Sequence, residues 1–217
     1  MRTVVAMPWR PQPAREAAHA LVREWLARHL PLAPVLEVDT AHHPYNLSAV
    51  RNEGVRRAEE LGADMVVIID ADAIIVPPDS LHEAIAAAVD GRVHMPFTVQ
   101  RYLTQEETER VLAGGAASTH GAHGNGACYV CTPAAYWTFG GSDERFSGWG
   151  GDDDQLVAAA STLVGLERHE GTVWSLWHAD ERRPVGTAEH RPNALLAQRY
   201  WAAIGSPRRM RDLIGER

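Results

Sequence analysis

Short, uninterrupted apolar runs alternate along this chain with longer segments in which apolar residues recur every three or four positions. Runs of the first kind predict buried strands, and spacing of the second kind predicts amphipathic helices. The predicted strands cover 3–7, 33–39, 65–70, 92–99, 128–131 and 172–178, and the predicted helices cover 13–30, 48–61, 80–90, 105–112, 133–139, 152–164 and 193–204. This alternation predicts a three-layer α/β/α fold with a largely parallel central sheet, in one domain over residues 1–217.

Local signals refine the predicted element boundaries. Ser80 with Glu83, and Thr104 with Glu107, have the spacing of a capping box at the start of a helix. The glycine-rich segment 113–127 has no periodicity, so we expect a mobile loop and a candidate lid. In such sheets ligands bind outside the carboxyl ends of the strands, so residues that follow predicted strands are the first candidates for a site.

Charge and composition exclude several classes of function. The net charge is −7, so we expect no broad nucleic-acid footprint. All 21 Lys and Arg residues are arginine, and without lysine the chain has neither a Walker-type phosphate loop nor a Schiff-base lysine. No run is long enough to span a membrane, and we expect a cytoplasmic protein.

The two cysteines leave two interpretations open. Cys128 and Cys131 have the spacing of a CxxC metal or redox pair. However, they lie on a predicted strand, where residues three apart point to opposite faces, and no second cysteine pair exists. We therefore expect both to be packing residues in a reducing compartment.

Two aspartates, Asp70 and Asp72, follow the apolar run "VVII". Residues two apart on a strand share a face, and two carboxylates there repel each other unless they share a cation or a proton. Mg²⁺ takes one or two carboxylates together with substrate phosphates, and Mn²⁺ prefers the same oxygens. The pattern indicates a divalent cation that also binds phosphate. The alternative is that both aspartates are solvated turn residues beside Pro77.

A second acidic cluster lies within "FSGWGGDDDQL", residues 146–156. Acids in the first turn of a helix complement its dipole by about 0.3–1 kcal/mol each, which is the structural alternative, but one acid is enough for that. Here the three acids 152–154 follow Trp149, Gly150 and Gly151. The glycines allow backbone to approach a ligand, and the tryptophan can stack on the apolar face of a sugar.

His178 ends the predicted strand 172–178. Neutral imidazole is a good ligand for transition metals. A lone histidine is more often structural, and this chain has 11 of them. Taken by itself, His178 is therefore interpreted as a structural residue.

In this order, the DxD, the acid-rich helix start and the histidine resemble GT-A-type glycosyltransferases. The pattern is most similar to the galactosyltransferase-like group, which carries a "GWGxEDxD" motif near its C-terminus. The stretches that carry the resemblance are "SAVRNEGVRRAEELGADMVVIIDADAIIVPPDSL" (48–81), "GGSDERFSGWGGDDDQL" (140–156) and "SLWH" (175–178). Together with the first strand and "PWR" they span most of the chain.

The resemblance implies a metal site. Asp72 and His178 would ligate Mn²⁺ or Mg²⁺, with Asp70 near the ribose or the metal. Some relatives have a methionine ligand three residues before the histidine, where this chain has Ser175. That difference predicts that the metal is held differently here, or by water.

The resemblance also implies a site for the nucleotide. Arg51 and Asn52 stand where the family's Arg-Asn helix contacts the nucleotide or orders the DxD. Pro8, Arg10 and Asp39 end the first two predicted strands, where the base and ribose usually lie.

The remaining implied roles concern the sugar and the acceptor. Asp153 matches the general base of inverting members. Asp152 matches the acid that contacts the acceptor or donor sugar, with Asp where the family usually has Glu. Trp149, Gly150 and Gly151 belong to the same substrate-binding motif.

The implied activity is metal-dependent transfer of a hexose from a nucleotide-diphosphate sugar, expected to be UDP-linked, to an acceptor hydroxyl with inversion. The metal and Arg51 would neutralise the departing diphosphate, while Asp153 removes the proton of the acceptor. The expected partners are the nucleotide-sugar donor and a hydroxyl acceptor. One alternative is a sugar-nucleotide-binding protein without turnover. Another is a DxD phosphotransferase, which would require a lysine that this chain lacks.

Overall fold

The computed structural model describes residues 1–179 and 191–217. A six-stranded sheet forms its centre, and its strands are β1 (Thr3–Pro8), β2 (Val35–Val38), β3 (Met65–Ile69), β5 (Val93–Met95), β7 (Cys128–Cys131) and β8 (Leu166–Arg168). The strand order is β2-β1-β3-β7-β5-β8. All of these strands run parallel except β7, which is antiparallel to both of its neighbours. The predicted fold class, an α/β protein with a largely parallel sheet, is confirmed.

A smaller sheet lies beyond the end of β3. Its three strands are β4 (Ala73–Val76), β6 (Val99–Tyr102) and β9 (Thr172–Ser175), with β9 in the middle. Strand β4 pairs antiparallel with β9, and β6 pairs parallel with it. The chain therefore passes from one sheet to the other through residues 70–72, which places the DxD at the junction of the two sheets.

The helices are α1 (Glu16–His29), α2 (Leu47–Glu60), α3 (Asp79–Ala87), α4 (Gln105–Leu112), α5 (Pro133–Thr138), α6 (Asp152–Leu163), α7 (Arg191–Ala203) and α8 (Pro207–Ile214). Single 3₁₀ turns cover Pro13–Arg15 and Ala88–Asp90. Among the described residues, no helix has the length and apolar character needed to cross a membrane.

The core is built around β3, whose five residues are all buried. Such a strand, covered on both faces, needs helices that pack closely on the sheet. Helix α2 achieves this at Gly54, where an added Cβ would lie 2.9 Å from the Cβ of Ala6 in β1. Any side chain at this position would push the helix away from the sheet. This close packing fixes α2, and with it Arg51, against the strands.

Both cysteines pack in the core, as predicted. Cys128 is fully buried and Cys131 is 1% exposed, and both are free thiols. Burial raises the pKa of the Cys131 thiol to about 12, so this group is an inert thiol at neutral pH.

Several elements differ from the prediction. Strands β4 and β8 and helix α8 were not predicted. The predicted strand 92–99 is two strands in different sheets, separated by a stretch that contains Pro96. Proline has no N–H to donate to a ladder, which explains the interruption. The segment 113–127 is irregular, as predicted, except for an isolated bridge between Gln100 and Ala122.

Of the two predicted capping boxes, only that of Thr104 and Glu107 is present, with both reciprocal hydrogen bonds. The prediction for Ser80 is wrong. Helix α3 begins after Pro78 without a side-chain cap, and the Ser80 hydroxyl donates instead to the Glu170 carbonyl at 2.5 Å. Pro78 already sits in helical conformation, so Ser80 falls inside the first turn.

Candidate active site

A cavity of about 570 Å³ opens where β1 and β3 end and the small sheet begins. Nine of the residues singled out in the sequence line it: Pro8, Asp70, Asp72, Trp149, Gly150, Gly151, Asp152, Asp153 and His178. These residues come from segments that are distant in sequence. Their convergence at the carboxyl ends of parallel strands is what an open α/β sheet provides for ligands.

The DxD forms the turn that links the two sheets. The Ala73 amide donates to the Asp70 carbonyl at 3.1 Å, which closes the turn. The Asp70 amide donates to the Ala127 carbonyl, and the Leu176 amide donates to the Asp72 carbonyl, both at 2.8 Å. The backbone of both aspartates is thus anchored, and their side chains line the same cavity.

Asp72 and His178 are neighbours in the cavity, and the sequence separates them by more than one hundred residues. The Asp72 Oδ2 lies 3.1 Å from the His178 Nε2, and the two side chains are only 17% and 15% exposed. The guanidinium of Arg15 donates to both, at 3.2 Å to Asp72 Oδ2 and 2.5 Å to His178 Nε2. A carboxylate oxygen and an imidazole nitrogen at this separation are a donor pair that suits Mn²⁺.

Arg51 is the cation at the base of the site. Its side chain is fully buried and donates to Asp152 Oδ2 at 3.1 Å and to Asp153 Oδ1 at 2.8 Å. Asp70 Oδ1 lies 3.7 Å from the same guanidinium, which also lies over the Tyr129 ring. One buried arginine therefore joins the DxD turn to the start of α6. Breaking such a buried ion pair typically destabilises a protein by about 3–5 kcal/mol.

The acids of this cluster are not equivalent. Burial raises the pKa of Asp70 to about 7, and the negative charges of Asp153, Asp72 and Asp152 add to the rise while Arg51 opposes it. Burial likewise raises the pKa of Asp152 to about 6, with Asp153 contributing and Arg51 opposing. The site thus favours a cation, because each added positive charge relieves repulsion among these carboxylates.

Asp153 has its two oxygens in different surroundings. Oδ1 accepts from the Arg51 guanidinium and, at 2.9 Å, from the Tyr129 hydroxyl. No hydrogen bond from the described part of the chain reaches Oδ2, and an added Cβ at Gly126 would lie only 2.5 Å from it. The carboxylate is therefore fixed through one oxygen while the other faces a position that only glycine leaves room for.

The segment 113–127 forms one wall of the cavity. Asn125 donates to Asp154 Oδ1 and accepts from Arg168, both at 2.8 Å, and Arg168 also donates to the Gly124 carbonyl at 2.7 Å. Ala127, where the segment joins β7, has a φ of +81°, a backbone conformation that residues with a side chain rarely adopt. These contacts hold the end of the segment against α6 and β8.

The glycines of "GWGG" have conformations that explain their presence. Gly150 has φ +101° and Gly151 has φ +88°, and an added Cβ at Gly151 would meet the Phe146 ring at 2.8 Å. Trp149 is 55% exposed, and its carbonyl accepts from the Asn193 amide at 3.2 Å. The indole therefore stands at the cavity rim, as stacking on a sugar requires.

The remaining predicted residues, Arg10, Asp39, Arg51 and Asn52, are not among those that line the cavity. Arg10 and Asp39 form a bidentate pair with both hydrogen bonds at 2.8 Å, and Arg10 lies over the ring of Tyr45, which is a lining residue. Arg51 lies beneath the cavity and affects it through the acids to which it donates hydrogen bonds.

Asn52 serves the scaffold around the site. Its side-chain amide donates to the Ser142 carbonyl at 2.9 Å and to Glu144 at 2.7 Å, and its oxygen accepts from the Tyr136 hydroxyl at 2.8 Å. Asn52 thereby ties α2 to the segment that leads into "GWGGDDD".

Sequence reasoning missed three residues of the site: Arg15, Tyr45 and Tyr129. Arg15 and Tyr129 reach the acids through hydrogen bonds that cross more than twenty positions, and no local pattern marks them. Tyr129 lies in the buried run "CYVC", where a hydroxyl group needs a partner, and this was the one available signal.

No protein-family model and no curated protein matches this chain. Solved structures match it in fold. The catalytic domain of Drosophila beta1,4-galactosyltransferase 7 in complex with xylobiose has a TM-score of 0.58 at 15% identity, covering 89% of this chain and 79% of that chain. A mutant of the Drosophila enzyme in complex with manganese, UDP-Gal and xylobiose has a TM-score of 0.57 at 15% identity, covering 87% and 78% of the two chains.

GalNAc-T7 with UDP, GalNAc and Mn²⁺ matches with a TM-score of 0.52 at 11% identity, covering 91% of this chain and 47% of that chain. At such identities the likeness establishes the fold alone. The chain has the GT-A fold of nucleotide-sugar transferases, as the sequence predicted.

Proposed function

We propose that this protein is a metal-dependent glycosyltransferase that moves a hexose from a UDP-linked donor to an acceptor hydroxyl, with inversion. One observation carries the proposal. A single cavity joins a candidate metal pair, Asp72 and His178, to an oriented carboxylate, Asp153, and the two are linked through Arg51 and Asp70. The solved glycosyltransferases of the same fold, two of which were determined with UDP or UDP-Gal and manganese, support the substrate class.

The donor set fits a hard or borderline divalent ion. Asp72 and His178 would hold it, with Asp70 available beside them, and Ser175 lines the same cavity with a hydroxyl oxygen. When bound, Mn²⁺ or Mg²⁺ supplies positive charge that stabilises the departing diphosphate. The chain itself supplies Arg15, which lines the cavity beside Asp72 and His178, and a guanidinium is well suited to pair with phosphate. Arg51 adds positive charge from beneath the acids.

Asp153 is the proposed general base. Arg51 and Tyr129 both bind its Oδ1, so the carboxylate cannot rotate freely and Oδ2 is the oxygen that takes the proton of the acceptor hydroxyl. As that proton leaves, the acceptor oxygen bonds to the anomeric carbon, and the bond from this carbon to the diphosphate oxygen breaks. Attack opposite the leaving group inverts the configuration.

We assign the two ends of the substrate to the rest of the cavity. The end of β1, with Pro8 and Tyr45, would take the base and ribose, steadied by the Arg10–Asp39 pair behind it. The rim at Trp149 would stack on the transferred or accepting sugar. Asp152, mostly protonated only below its raised pKa of about 6, would accept hydrogen bonds from sugar hydroxyls at neutral pH.

Turnover of the donor tests the proposal directly. Purified protein with Mn²⁺ and a panel of UDP-hexoses should release UDP, slowly with water and faster with a suitable sugar acceptor, and EDTA should abolish the release. Asp153→Asn should lower the rate by at least about 100-fold, since a positioned base contributes about 10²–10⁴-fold, while UDP binding stays unchanged.

Asp79→Asn is the matched control, since Asp79 is also an acid in the first turn of a helix but does not line the cavity. The control should retain the parent rate. Full activity in Asp153→Asn would refute the assignment of the base. Tight UDP-hexose binding with no turnover of any donor and acceptor would refute the enzyme and leave a binding protein.

A further inference from the structure

A second cluster of potential ligands lies at the β5–β8 edge of the large sheet. It consists of Asp90, which ends the turn before β5, His94 in β5, Glu167 in β8 and His169 just after β8. None of the four lines the cavity described above. One ligand atom each from Asp90, His94 and Glu167 lies within 4.8 Å of the others.

His94 is the centre of this cluster. Its side chain is fully buried, its Nε2 lies 3.1 Å from Asp90 Oδ1, and its Nδ1 lies 3.0 Å from the Nε2 of His169. His169 Nε2 is placed to accept a hydrogen bond from His94 Nδ1–H, and in that tautomer His94 Nε2 is the nitrogen that can ligate a metal.

We propose that Asp90, His94 and Glu167 bind a divalent transition metal ion of the Zn²⁺ class. Imidazole nitrogen with carboxylate oxygen is a donor set that suits Zn²⁺. In a tetrahedral zinc site, bonds of about 2.0–2.2 Å place neighbouring ligand atoms about 3.4 Å apart. The observed 3.1 Å between His94 Nε2 and Asp90 Oδ1 is close to that spacing. Two adjacent carboxylates would supply the charge, and His169 would orient the imidazole from outside the ligand set.

Arg92 is the natural competitor of the metal. Its guanidinium contacts Glu167, and its Nε lies 3.6 Å from Asp90 Oδ2. The Arg92 side chain is about half exposed, so exchanging these surface ion pairs for a metal costs little. This competition provides two tests with opposite expected effects on metal affinity. Removing Arg92 should tighten metal binding, whereas removing Glu167 should weaken it.

A bound ion would fasten the edge of the sheet. Strand β8 has only three residues and pairs with β5 through Val93, His94 and Met95. Short edge strands of this kind have few ladder bonds to hold them. A ligand from β8 and two from the β5 side would add a cross-link at the place where the ladder is shortest.

The experiment uses Co²⁺ and Zn²⁺ on the full chain carrying Asp72→Asn, so that the cavity described above does not contribute. One equivalent of Co²⁺ should produce the visible absorption of a low-symmetry site with nitrogen and oxygen ligands, and Zn²⁺ should displace it. Glu167→Gln should weaken Co²⁺ binding about 10–100-fold. Arg92→Gln should tighten it by severalfold.

Glu106→Gln is the matched surface control, since Glu106 pairs with Arg110 one turn away and is not part of this cluster, and it should leave the affinity unchanged. Absence of Co²⁺ and Zn²⁺ binding would overturn the proposal. So would binding that neither Glu167→Gln nor Arg92→Gln changes. Because these variants lie on the surface, loss of folding does not obscure the result, and circular dichroism verifies that each is folded.

Discussion

At the scale of single residues, the site depends on how one buried arginine is shared. Arg51 faces Asp70, Asp152 and Asp153, which are separated from it by up to 102 positions in sequence. The sequence could mark the acids, because they follow an apolar run and begin a helix. It could not reveal that the same guanidinium holds them, since nothing local to Arg51 differs from an ordinary helical arginine.

The raised pKa of Asp70 predicts a specific pH dependence of stability. Because this pKa is about 7 in the folded protein, the folded state binds more protons than the unfolded chain between about pH 4 and pH 7. The contribution of Asp70 to stability is therefore lost as the pH rises through this window. We expect Asp70→Asn to increase the free energy of unfolding by about 1–3 kcal/mol at pH 8 and to have little effect at pH 4.

Urea denaturation in EDTA measures this difference, with Asp79→Asn as a control that should show no such pH trend. A stabilisation by Asp70→Asn that grew as the pH fell would contradict the raised pKa.

The backbone conformation of Ala127 predicts that substitution by glycine stabilises the protein. Its φ of +81° is unfavourable for any residue with a Cβ, by about 1–2 kcal/mol in the left-handed region. Ala127→Gly should therefore stabilise the protein by up to about 1 kcal/mol, despite the added freedom of the unfolded chain. Ala159→Gly, in the interior of α6, should destabilise it by about 1 kcal/mol. Chemical denaturation should show that the free energy of unfolding rises in Ala127→Gly and falls in Ala159→Gly. An equal decrease in both variants would show that Ala127 is not strained.

At the scale of elements, the fold was predictable where an element carries its own signal. The helices with apolar spacing and the fully buried β3 were located correctly. Strands β4 and β8 have four and three residues, too short for a period to show, and they exist because β9 and β5 offer a ladder to pair with. Helix α8 did carry local signals, a Ser206 cap followed by Pro207, which the charge-rich sequence obscured.

Strand pairing also explains why the DxD could be located but not its surroundings. The strand predicted before it, 65–70, ended at the first aspartate, and the apolar residues after the DxD were not predicted as a strand. The structure shows instead two strands in two sheets, with the aspartates in the turn between them. Pairing partners in a sheet are set by long-range contacts, which periodicity does not report.

The segment 113–127 yields a prediction at the same scale. Arg168 fixes its end through Gly124 and Asn125, so Arg168→Ala should release this part of the segment from β8. Hydrogen exchange at residues 120–126 should then become faster, while β7 remains protected. Arg110→Ala, which removes an exposed arginine that pairs with Glu106 on its own helix, is the control. Unchanged exchange in Arg168→Ala would show that other contacts hold the segment.

At the scale of the whole molecule, one cavity is lined by five of the 28 acidic residues of the chain. Asp70, Asp72 and the acids 152–154 all line one cavity, against Arg15 at its side and Arg51 beneath it. Such a cavity repels a diphosphate until a cation enters. Metal and nucleotide binding should therefore depend on each other.

We accordingly predict reciprocal coupling between Mn²⁺ and UDP. Each should tighten the binding of the other by the same factor, in the range of about 5–150-fold that is typical of coupled sites. Calorimetric titration of UDP with and without Mn²⁺, and of Mn²⁺ with and without UDP, measures both factors. Asp72→Asn should abolish the coupling. Equal UDP affinity in EDTA and in Mn²⁺ would contradict a shared site.

The wall formed by residues 113–127 would tolerate more insertions and substitutions during evolution than the rest of the cavity. The aspartates are anchored by backbone hydrogen bonds, whereas residues 113–122 of this wall meet the small sheet through the Gln100–Ala122 bridge and through side chains that donate to the backbone carbonyls of Ser118, Thr119 and His120. Insertions and exchanges can accumulate there without moving the acids. Gene copies built on this scaffold would thus diverge first along this wall and last around the acids.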